Sequence, residues 1–482
     1  MTKSRFLTIG AINARTLSST ARQIELDEAL EKFNCDILVI SEARITRKGS
    51  FTFTSSQRIV FHSGGRTTAH GIAFVTTPEV GKSADFYPRN DRIAALHLKT
   101  EKVYIIGCYA PTSTYTDDEY DSFLEQIEQE IRKCPKNATP FIAGDFNAKI
   151  QRRDGNEKSV GKYCGGDGNQ RGTMLTEFAM RNYMKIWNTM FRRKKSKLWT
   201  WRSPNGQVFN QIDFMLSSTR IKVVNCFTHR SFQFDSDHRL IVAHVKTTLI
   251  QRKRRKPKPH LRFNRRQYVN NVQLLGEPQN SFADSATNSY TILRAYTETA
   301  ASNCWQDIPK IKWISDHTKD LLARRHFFKG KPLMAHEYKN ACSLARVELQ
   351  KDIAKRKEER IKEAIIHGKG IKDAIRSTAH KKTLLMMEDP ATCTKSQRFT
   401  CKMVKLYYDN LFRSSIPLNL YIQPSDESLP PFTTEEARYA LKSLKLGHSP
   451  GPDNILPDML SLASEQLSPV VAALLNGLFT WR

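Results

Sequence analysis

The chain has 482 residues and a formal net charge of +28, with a pI near 9.7. At roughly 150 residues per domain the length predicts about three folded units, and the clustered basic charge favours a polyanionic partner over general solubility. Nine cysteines without a Cys-x-x-Cys pair argue against a zinc ribbon or a secreted disulfide scaffold, and no apolar run reaches the roughly 18 residues that span a membrane.

The N-terminal part predicts strands that end in polar residues. An apolar run over residues 6–12 ends at Asn13, and apolar residues at helical spacing over 17–33 predict a helix. Residues 36–42 then predict a buried strand ending in Glu42. Alternating patterns predict further strands at 58–62, 71–76, 93–98 and 103–108, the last of which leads into Tyr109.

A helix predicted over 117–133 precedes a third polar strand end. The apolar run 141–144 leads into Asp145 and Asn147. Side chains two apart on an extended backbone point the same way, so a carboxylate and a carboxamide would project together. Taken singly, the pair is also explained by turn chemistry after a strand.

The next hundred residues add a glycine-rich loop, a hairpin and the last strands. The loop 161–172 contains Asn169 and Arg171, and a helix is predicted over 173–182. Residues 199–206 predict a hairpin corner with Trp201. Strands are predicted at 208–216, which carries Asp213, at 222–228 and at 240–245. The last strand comes directly after Ser236-Asp237-His238-Arg239. A first domain is therefore predicted to end near residue 248.

The remainder divides into a linker and two regions. The composition of residues 249–284 predicts a basic linker. Its charged run is typical of a nuclear import signal or a nucleic-acid-binding segment, and the alternative is a solvated tether. The run consists of Arg252, Lys253, Arg254, Arg255 and Lys256. A basic helical region is predicted over 285–425, including a long polar helix over 336–366, and the last region spans 426–482.

These strand ends offer the groups that hydrolysis of a phosphodiester requires. Glu42 is a hard oxygen ligand suited to Mg²⁺, and Asn13 can bind beside it without adding charge. His238 can exchange protons near neutral pH, with Asp213 fixing its tautomer. Tyr109 offers a hydroxyl to a phosphate. Each residue alone also has a structural explanation, but their combination is harder to explain in that way.

The motifs, taken in order, resemble those of the endonuclease/exonuclease/phosphatase family, in particular the apurinic-type endonuclease domain of non-LTR retrotransposons. The resemblance covers about residues 5–248. The segments that carry it are Asn13 with Arg15-Thr16-Leu17, Ser41-Glu42-Ala43-Arg44, Cys108-Tyr109-Ala110-Pro111-Thr112, Gly144-Asp145-Phe146-Asn147-Ala148, Gln211-Ile212-Asp213-Phe214 and Ser236-Asp237-His238-Arg239.

The resemblance implies an α/β fold, a four-layer sandwich of two mostly antiparallel sheets with helices outside. It implies Mg²⁺, with Mn²⁺ as the alternative cation, held by Glu42 with Asn13 and Asp237 close by. Further roles are implied for five residues: Asp145 in moving a proton of the water or the leaving group, Asn147 in orienting the phosphate or water, Tyr109 in binding phosphate, and His238, held by Asp213, as base or phosphate clamp. Which of Asp145 and His238 is the base stays open.

Two departures from the family pattern matter. Ile12 stands where many relatives have Trp, and Arg15 replaces an acidic residue of the repair enzymes, which favours a nicking enzyme of the retrotransposon type. Contacts with nucleic acid are predicted for Arg15, Asn169, Arg171, Trp201 and the basic run 252–256.

The last region resembles the start of a reverse-transcriptase finger segment. Glu435-Glu436, residues 441–445 and His448-Ser449-Pro450-Gly451-Pro452-Asp453 carry this resemblance, with Asn454 in place of a usual Gly. Asn tolerates a left-handed backbone better than most residues. No paired catalytic aspartates follow, so polymerase activity is not expected.

The leading expectation is a Mg²⁺-dependent DNA endonuclease of a non-LTR retrotransposon, located in the nucleus at least transiently. It would nick target DNA and leave a 3′-hydroxyl as a primer, and basic segments 251–266 and 310–383 would hold DNA or element RNA. Two alternatives are hydrolysis of small phosphate esters by the same fold and a non-catalytic nucleic-acid-binding protein derived from a decayed or domesticated element.

Overall fold

A computed structural model describes residues 5–65, 69–151, 158–247, 261–278, 286–307, 313–329, 331–366, 368, 370–377, 379–413, 430–451 and 453–479. The chain forms two compact units. The first combines Met1–Arg252 with Ile311–Arg413, and the second combines Lys253–Lys310 with Ser414–Arg482.

The described strands, in chain order, are β1 (Arg5–Asn13), β2 (Ile37–Ser41), β3 (Gly49–Phe53), β4 (Ile59–His62), β5 (Ala73–Thr76), β6 (Ala84–Pro88), β7 (Ile93–Leu98), β8 (Val103–Tyr109), β9 (Thr139–Asp145), β10 (Lys185–Ile186), β11 (Trp201–Arg202), β12 (Phe209–Asn210), β13 (Asp213–Ser217), β14 (Lys222–His229), β15 (Leu240–Thr247), β16 (Leu261–Phe263), β17 (Trp305–Asp307), β18 (Lys381–Thr383), β19 (Glu388–Asp389) and β20 (Thr394–Lys395).

The described α-helices are α1 (Thr20–Lys32), α2 (Pro78–Gly81), α3 (Asp117–Arg132), α4 (Gln170–Arg181), α5 (Arg265–Leu275), α6 (Ala286–Ala300), α7 (Asp316–Phe328), α8 (Ala335–Ile366), α9 (Ile371–Ser377), α10 (Gln397–Leu411), α11 (Thr434–Lys442), α12 (Pro457–Leu462) and α13 (Ser464–Phe479). Short 3₁₀ turns lie at Trp187–Thr189, Lys195–Lys197 and Pro332–Met334. Among the described helices, none is long and apolar enough to cross a lipid bilayer.

Two eight-stranded sheets form the centre of the first unit. The first sheet has the order β14-β15-β1-β2-β5-β4-β3-β18, and the second has the order β10-β13-β9-β8-β7-β6-β20-β19. Each sheet contains a single parallel pair, β1 with β2 and β8 with β9, and its other pairs are antiparallel. The predicted pair of mostly antiparallel sheets is therefore confirmed.

The layers follow from side chains that alternate between the two faces of each strand. Ile9 and Phe74 from the first sheet meet Phe86 and Phe141 from the second in the central core. The opposite face of the second sheet is covered by α3 and α4, and that of the first sheet by α1. The order helix, sheet, sheet, helix confirms the predicted four-layer sandwich.

Two local differences from the predicted elements have simple causes. Helix α4 begins at Gln170 rather than at residue 173, because the side chain of Asn169 caps it by accepting a hydrogen bond from the backbone N–H of Gly172. The predicted strand 208–216 divides into β12 and β13, because β12 pairs with β11 whereas β13 pairs with β9.

Residues 381–395 join the edges of both sheets. Strand β18 pairs with β3 of the first sheet, and β20 pairs with β6 of the second sheet. Between them, Met386 is buried in the core between the sheets, and Leu384 packs against that core. We call residues 381–395 the clasp. The first unit therefore extends past the predicted boundary near residue 248, because part of the predicted separate helical region supplies edge strands and core side chains.

The downstream helices also cover the outer face of α1. Ile24 of α1 packs with Trp313, Leu322 of α7 and Leu349 of α8. This apolar contact is made by residues 313–349, which lie within the predicted basic helical region 285–425. The contact accounts for the position of these helices in the first unit.

The second unit is a helical body built from distant parts of the chain. Its core contains Tyr268 of α5, Leu293 of α6, Leu441 of α11 and Leu467 of α13, and β16 pairs with β17. The predicted linker 249–284 thus contains a packed helix. Asn454, in the predicted finger segment, has a φ of 62°, in the left-handed region that Asn tolerates.

The clasp generates a stability prediction. Met386→Ala should lower the free energy of unfolding of the first unit by about 2–5 kcal/mol, because it removes buried methylene groups and leaves a cavity. Leu385→Ala is the matched control, because Leu385 is 74% exposed. Urea titration of the full chain, read by hydrogen exchange on peptides from β3 and β6, measures the effect, and equal effects of the two substitutions would contradict it.

Candidate functional site

The predicted site residues meet at one edge of the sandwich. Since parallel strands place their carboxyl ends at the same edge, the ends of β1, β2, β8 and β9 all lie there. Tyr109 is paired with Asp145, and Asp213, at the start of antiparallel β13, is paired with Asp145 from the other side. The Ser41 hydroxyl donates to the carbonyl oxygen of Cys108 at 2.9 Å, which links the two sheets at this edge.

Asp145, Asp213 and His238 form a buried cluster. His238 Nδ1 lies 2.9 Å from Asp213 Oδ2, and His238 Nε2 lies 3.8 Å from Asp145 Oδ2. One ligand atom from each of the three residues lies within 4.8 Å of the other two. These are the groups that sequence analysis predicted to act together on a proton or a phosphate.

Burial and mutual charge raise the pKa values of this cluster. Burial, and then the neighbouring Asp213 carboxylate, raise the pKa of Asp145 to about 7, although His238 and Asn13 oppose the change. Burial alone would lower the pKa of His238, but its charge attraction and hydrogen bond to Asp213 and the nearby Asp145 raise it to about 9. The ring of His238 is therefore cationic at neutral pH, with Asp145 poised to exchange a proton.

Asn13 joins the cluster to Glu42. Its Nδ2 donates to Glu42 Oε1 at 2.8 Å and to Asp145 Oδ2 at 3.0 Å, and its Oδ1 accepts from the backbone N–H of Arg15 at 2.9 Å. Two carboxylates from different sheets therefore share one amide group. Which end of an amide carries the nitrogen follows from its hydrogen-bond partners.

This arrangement fits a divalent cation. Glu42 supplies a carboxylate oxygen, the ligand type that Mg²⁺ prefers, and the Asp145 carboxylate accepts from the same amide nitrogen of Asn13. Burial, and then the Asp213 carboxylate, raise the pKa of Asp145, and a nearby divalent cation would favour its charged form. Asn13 turns its nitrogen toward the carboxylates, so it would ligate a cation only with the opposite amide orientation.

Tyr109 and Arg44 complete the surroundings of Glu42. Burial, then the charges of Glu42 and Asp145, raise the pKa of Tyr109. Arg44 Nη2 lies 2.6 Å from Glu42 Oε2. Sequence analysis assigned no role to Arg44. The only sequence signal for it is its position two residues after Glu42, and its orientation depends on the fold.

Asp237 lies at the rim of the site. Its carboxylate accepts from Trp201 Nε1 at 3.3 Å and lies 3.9 Å from Arg15 Nε. Arg15 is well exposed, with 62% of its side chain accessible. Ser236 fastens this loop to β1, because its hydroxyl donates to the carbonyl oxygen of Asn13 and accepts from the backbone N–H of His238. A cation contact by Asp237 stays a prediction.

Four residues with side chains at the site have a left-handed backbone. The φ angles are 59° for Arg15, 50° for Glu42, 52° for Arg44 and 47° for Asn147. Such conformations cost energy in non-glycine residues and concentrate at functional sites. The turn at Asn147 is held by its N–H donating to Asp145 Oδ1 and by its Nδ2 donating to the carbonyl oxygen of Ala110. This is the turn chemistry that the sequence also allowed, and a shared role of Asp145 and Asn147 at the site stays a prediction.

Arg171 is buried next to the site, whereas Asn169 is exposed at the start of α4. Arg171 is buried, and its guanidinium donates to the carbonyl oxygens of Pro111 and Tyr115 and pairs with Asp117. Asn169 caps α4 through its side-chain oxygen. Both residues thus hold loops next to the site. The basic run of Arg252, Lys253, Arg254, Arg255 and Lys256 lies outside the described residues.

A second group next to Tyr109 carried no motif signal. His70 Nδ1 lies 3.0 Å from Asp91 Oδ2, and Arg92 Nη2 lies 3.1 Å from His70 Nε2. The Arg92 guanidinium also lies over the Tyr109 ring, 5.3 Å from its centroid. His70 lies in one loop, and Asp91 and Arg92 lie in another, so no sequence spacing relates these residues to Tyr109.

Comparisons with known proteins agree with part of the sequence interpretation. A family model described as "Endonuclease-reverse transcriptase" matches residues 103–242. This stretch includes Tyr109, Asp145, Asp213 and His238, whereas Asn13 and Glu42 precede it.

Curated relatives cover the first half of the chain. Craniofacial development protein 2 of Bos taurus is 29% identical over 247 residues, which are 50% of this chain and 41% of that protein. The protein of the same name from Tragulus javanicus is 28% identical over 247 residues, which are 50% of this chain and 42% of that protein. The chain therefore spans about two fifths of the length of these relatives.

Similar solved structures cover the same half. The catalytic domain of Xenopus laevis APE2 is 15% identical with a TM-score of 0.40, over 51% of this chain and 94% of that chain. The endonuclease domain of TRAS1, a telomere-specific non-LTR retrotransposon, is 16% identical with a TM-score of 0.37, over 50% of this chain and 99% of that chain.

The buried cluster generates a titration prediction. Asp213→Asn should lower the pKa of His238 by roughly 1–3 pH units, because the substitution removes the carboxylate that opposes the effect of burial. An NMR titration of the His238 ring measures the change. Asp121→Asn, an exposed substitution on α3, is the matched control. An unchanged His238 titration in Asp213→Asn would contradict the assigned cause.

Proposed function

We propose that this chain is a metal-dependent DNA endonuclease that hydrolyses one phosphodiester and leaves a 3′-hydroxyl. The observation that carries the proposal is the buried cluster of Asp145, Asp213 and His238, joined to Glu42 through Asn13 at one edge of the sandwich. The net charge of +28 supports a polyanionic substrate.

Asp145 is the better candidate for the base. Its pKa near 7 allows it to accept a proton at neutral pH, and its Oδ1 is fixed by the N–H of Asn147 at 3.0 Å. Attack of the water oxygen on phosphorus then transfers the water proton to Asp145, and the bond from phosphorus to the 3′ oxygen breaks. The departing 3′ oxygen takes up a proton from solvent, which leaves a 3′-hydroxyl on one fragment and a 5′-phosphate on the other.

His238 is the better candidate for the phosphate clamp. Its ring is cationic at neutral pH and is oriented by Asp213, so it can stabilise the negative charge that develops on the phosphoryl oxygens. Tyr109 would donate its hydroxyl to the phosphate on the side of Glu42.

Glu42 would hold the divalent cation, with Asn13 and Asp237 near it, and Mg²⁺ suits this set of oxygen donors. When bound, such a cation neutralises charge on the non-bridging phosphate oxygens.

The proposal extends to a retrotransposon setting. The description of the matching family and the finger-like segment 448–453 support an endonuclease that acts on nuclear DNA to supply a primer. Binding of element RNA by the basic parts of the chain belongs to the same proposal.

Plasmid nicking tests the activity. Asp145→Ala and His238→Ala should each reduce nicking of supercoiled DNA by roughly 100-fold or more, because each removes a group that acts on the reacting atoms. Chelation with EDTA should abolish nicking, and added Mg²⁺ should restore it. Asp121→Ala, an exposed substitution on α3, should nick normally. Unchanged nicking by Asp145→Ala would sink the proposal, and DNA binding without any nicking would favour a non-catalytic binding protein.

The dependence of the rate on pH separates the two candidate bases. With Asp145 as base and a cationic His238, the single-turnover rate should rise through about pH 7 and fall through about pH 9, since these are the values at which Asp145 loses its proton and His238 loses its charge. Asp213→Asn should move the alkaline limb to lower pH. A rate that instead rises through about pH 9 would identify His238 as the base.

A further inference from the structure

The loop between β14 and β15 carries two of the site residues, Asp237 and His238. The chain has no regular secondary structure from Ser231 to Ser236. A β-bridge between Trp201 and His238 holds one end of this loop, and the rest of the loop depends on contacts from outside the two sheets.

Lys329, at the end of α7, contacts the loop directly. Its Nζ donates to the carbonyl oxygen of Phe234 at 3.2 Å and to the carbonyl oxygen of His238 at 3.3 Å. The backbone N–H of His238 is held by Ser236, and its ring is held by Asp213. The backbone and the ring of His238 are thus anchored from three directions.

Asp235 ties the same loop to α7 and α8. Its Oδ1 accepts from the Tyr338 hydroxyl at 2.9 Å, and its Oδ2 lies 3.9 Å from Arg325 Nη1. Burial alone would raise the pKa of Asp235, but the guanidinium groups of Arg325 and Arg22 lower it to about 2. Its carboxylate is therefore ionised and is held by its cationic neighbours.

Arg325 also anchors the helices to α1. It is buried and pairs with the carboxylate of Glu25, and Glu25 Oε1 accepts from the backbone N–H of Asp235 at 2.8 Å. Breaking one partner of a buried ion pair is strongly destabilising. This network holds the end of α7 against the loop, so that Lys329 stays in contact with it.

We propose that Lys329 is a positioning residue of the active site, and that the endonuclease needs the segment 313–342 to hold the loop that carries His238. The proposal rests on the proposed function. Lys329 lies far outside residues 103–242, which match the endonuclease family. Its ammonium acts on the backbone of His238 rather than on DNA, in contrast with the polyanion-binding role that the basic composition of this segment predicts.

The test compares Lys329→Met with Lys329→Arg in the full chain. Lys329→Met keeps the length of the side chain and removes the donors, so the single-turnover nicking rate at saturating DNA should fall by roughly 10-fold to 100-fold. The Kd for the same DNA should change less than about twofold, because no phosphate contact is lost. Lys329→Arg should recover part of the rate. Lys136→Met is the matched control, because Lys136 is exposed between α3 and β9, outside the basic segments, and should behave as the unmodified chain.

Hydrogen exchange supplies a readout that needs no activity. In Lys329→Met, peptides covering residues 232–240 should exchange faster, whereas peptides from β9 should not change. Tyr338→Phe, which removes only the hydroxyl that holds Asp235, should loosen the same peptides and provides a second variant if Lys329→Met fails to fold.

Three outcomes are decisive. Unchanged exchange of residues 232–240 in the folded variants would overturn the positioning role. A weaker Kd with a shallower salt dependence, at an unchanged saturated rate, would instead make Lys329 a phosphate contact and would also overturn it. If the unmodified chain does not nick DNA but the exchange changes as expected, the endonuclease proposal fails while the contact of Lys329 with the loop stands.

Discussion

The site depends on carboxylates that are buried side by side. Asp145 and Asp213 are paired on adjacent strands, and Asn13 holds Asp145 and Glu42 through one amide. Such a concentration of negative charge is stable only with cations or donors close by. The ring of His238 supplies one cation, and Arg44 supplies another at Glu42. A divalent cation would offset the remainder, so the same constraint accounts for the raised pKa values and for the chemistry that we propose.

Holding these groups together requires more chain than the sandwich alone. The clasp adds an edge strand to each sheet and places Met386 between them. Helices α7 and α8 pack on α1 and hold the loop that ends in His238. A basic segment can therefore serve the site through packing and backbone hydrogen bonds, and its charge does not by itself indicate contact with nucleic acid.

Much of the site was predictable because its residues stand at strand ends. Apolar runs that stop at Asn13, Glu42 and Asp145 are local patterns, and the order of the motifs indicated the sandwich. Arg171 shows the limit of such reasoning: its predicted place in a glycine-rich loop suggests a surface position, but Arg171 lies in the first turn of α4, buried and paired with Asp117. Lys329 carried no signal, because nothing in its neighbourhood along the chain relates it to His238.

Local sequence sufficed for most strands of the sandwich and for the residue types at the site, because alternation and turn preferences act over a few residues. It also indicated a polyanionic partner, since net charge needs no fold. Partners across the chain required the tertiary structure: Asp145 with His238, Asp235 with Tyr338, and the clasp with β3 and β6. Those pairings are set by burying apolar surface and pairing buried charges between segments that can lie hundreds of residues apart, and no local pattern records them.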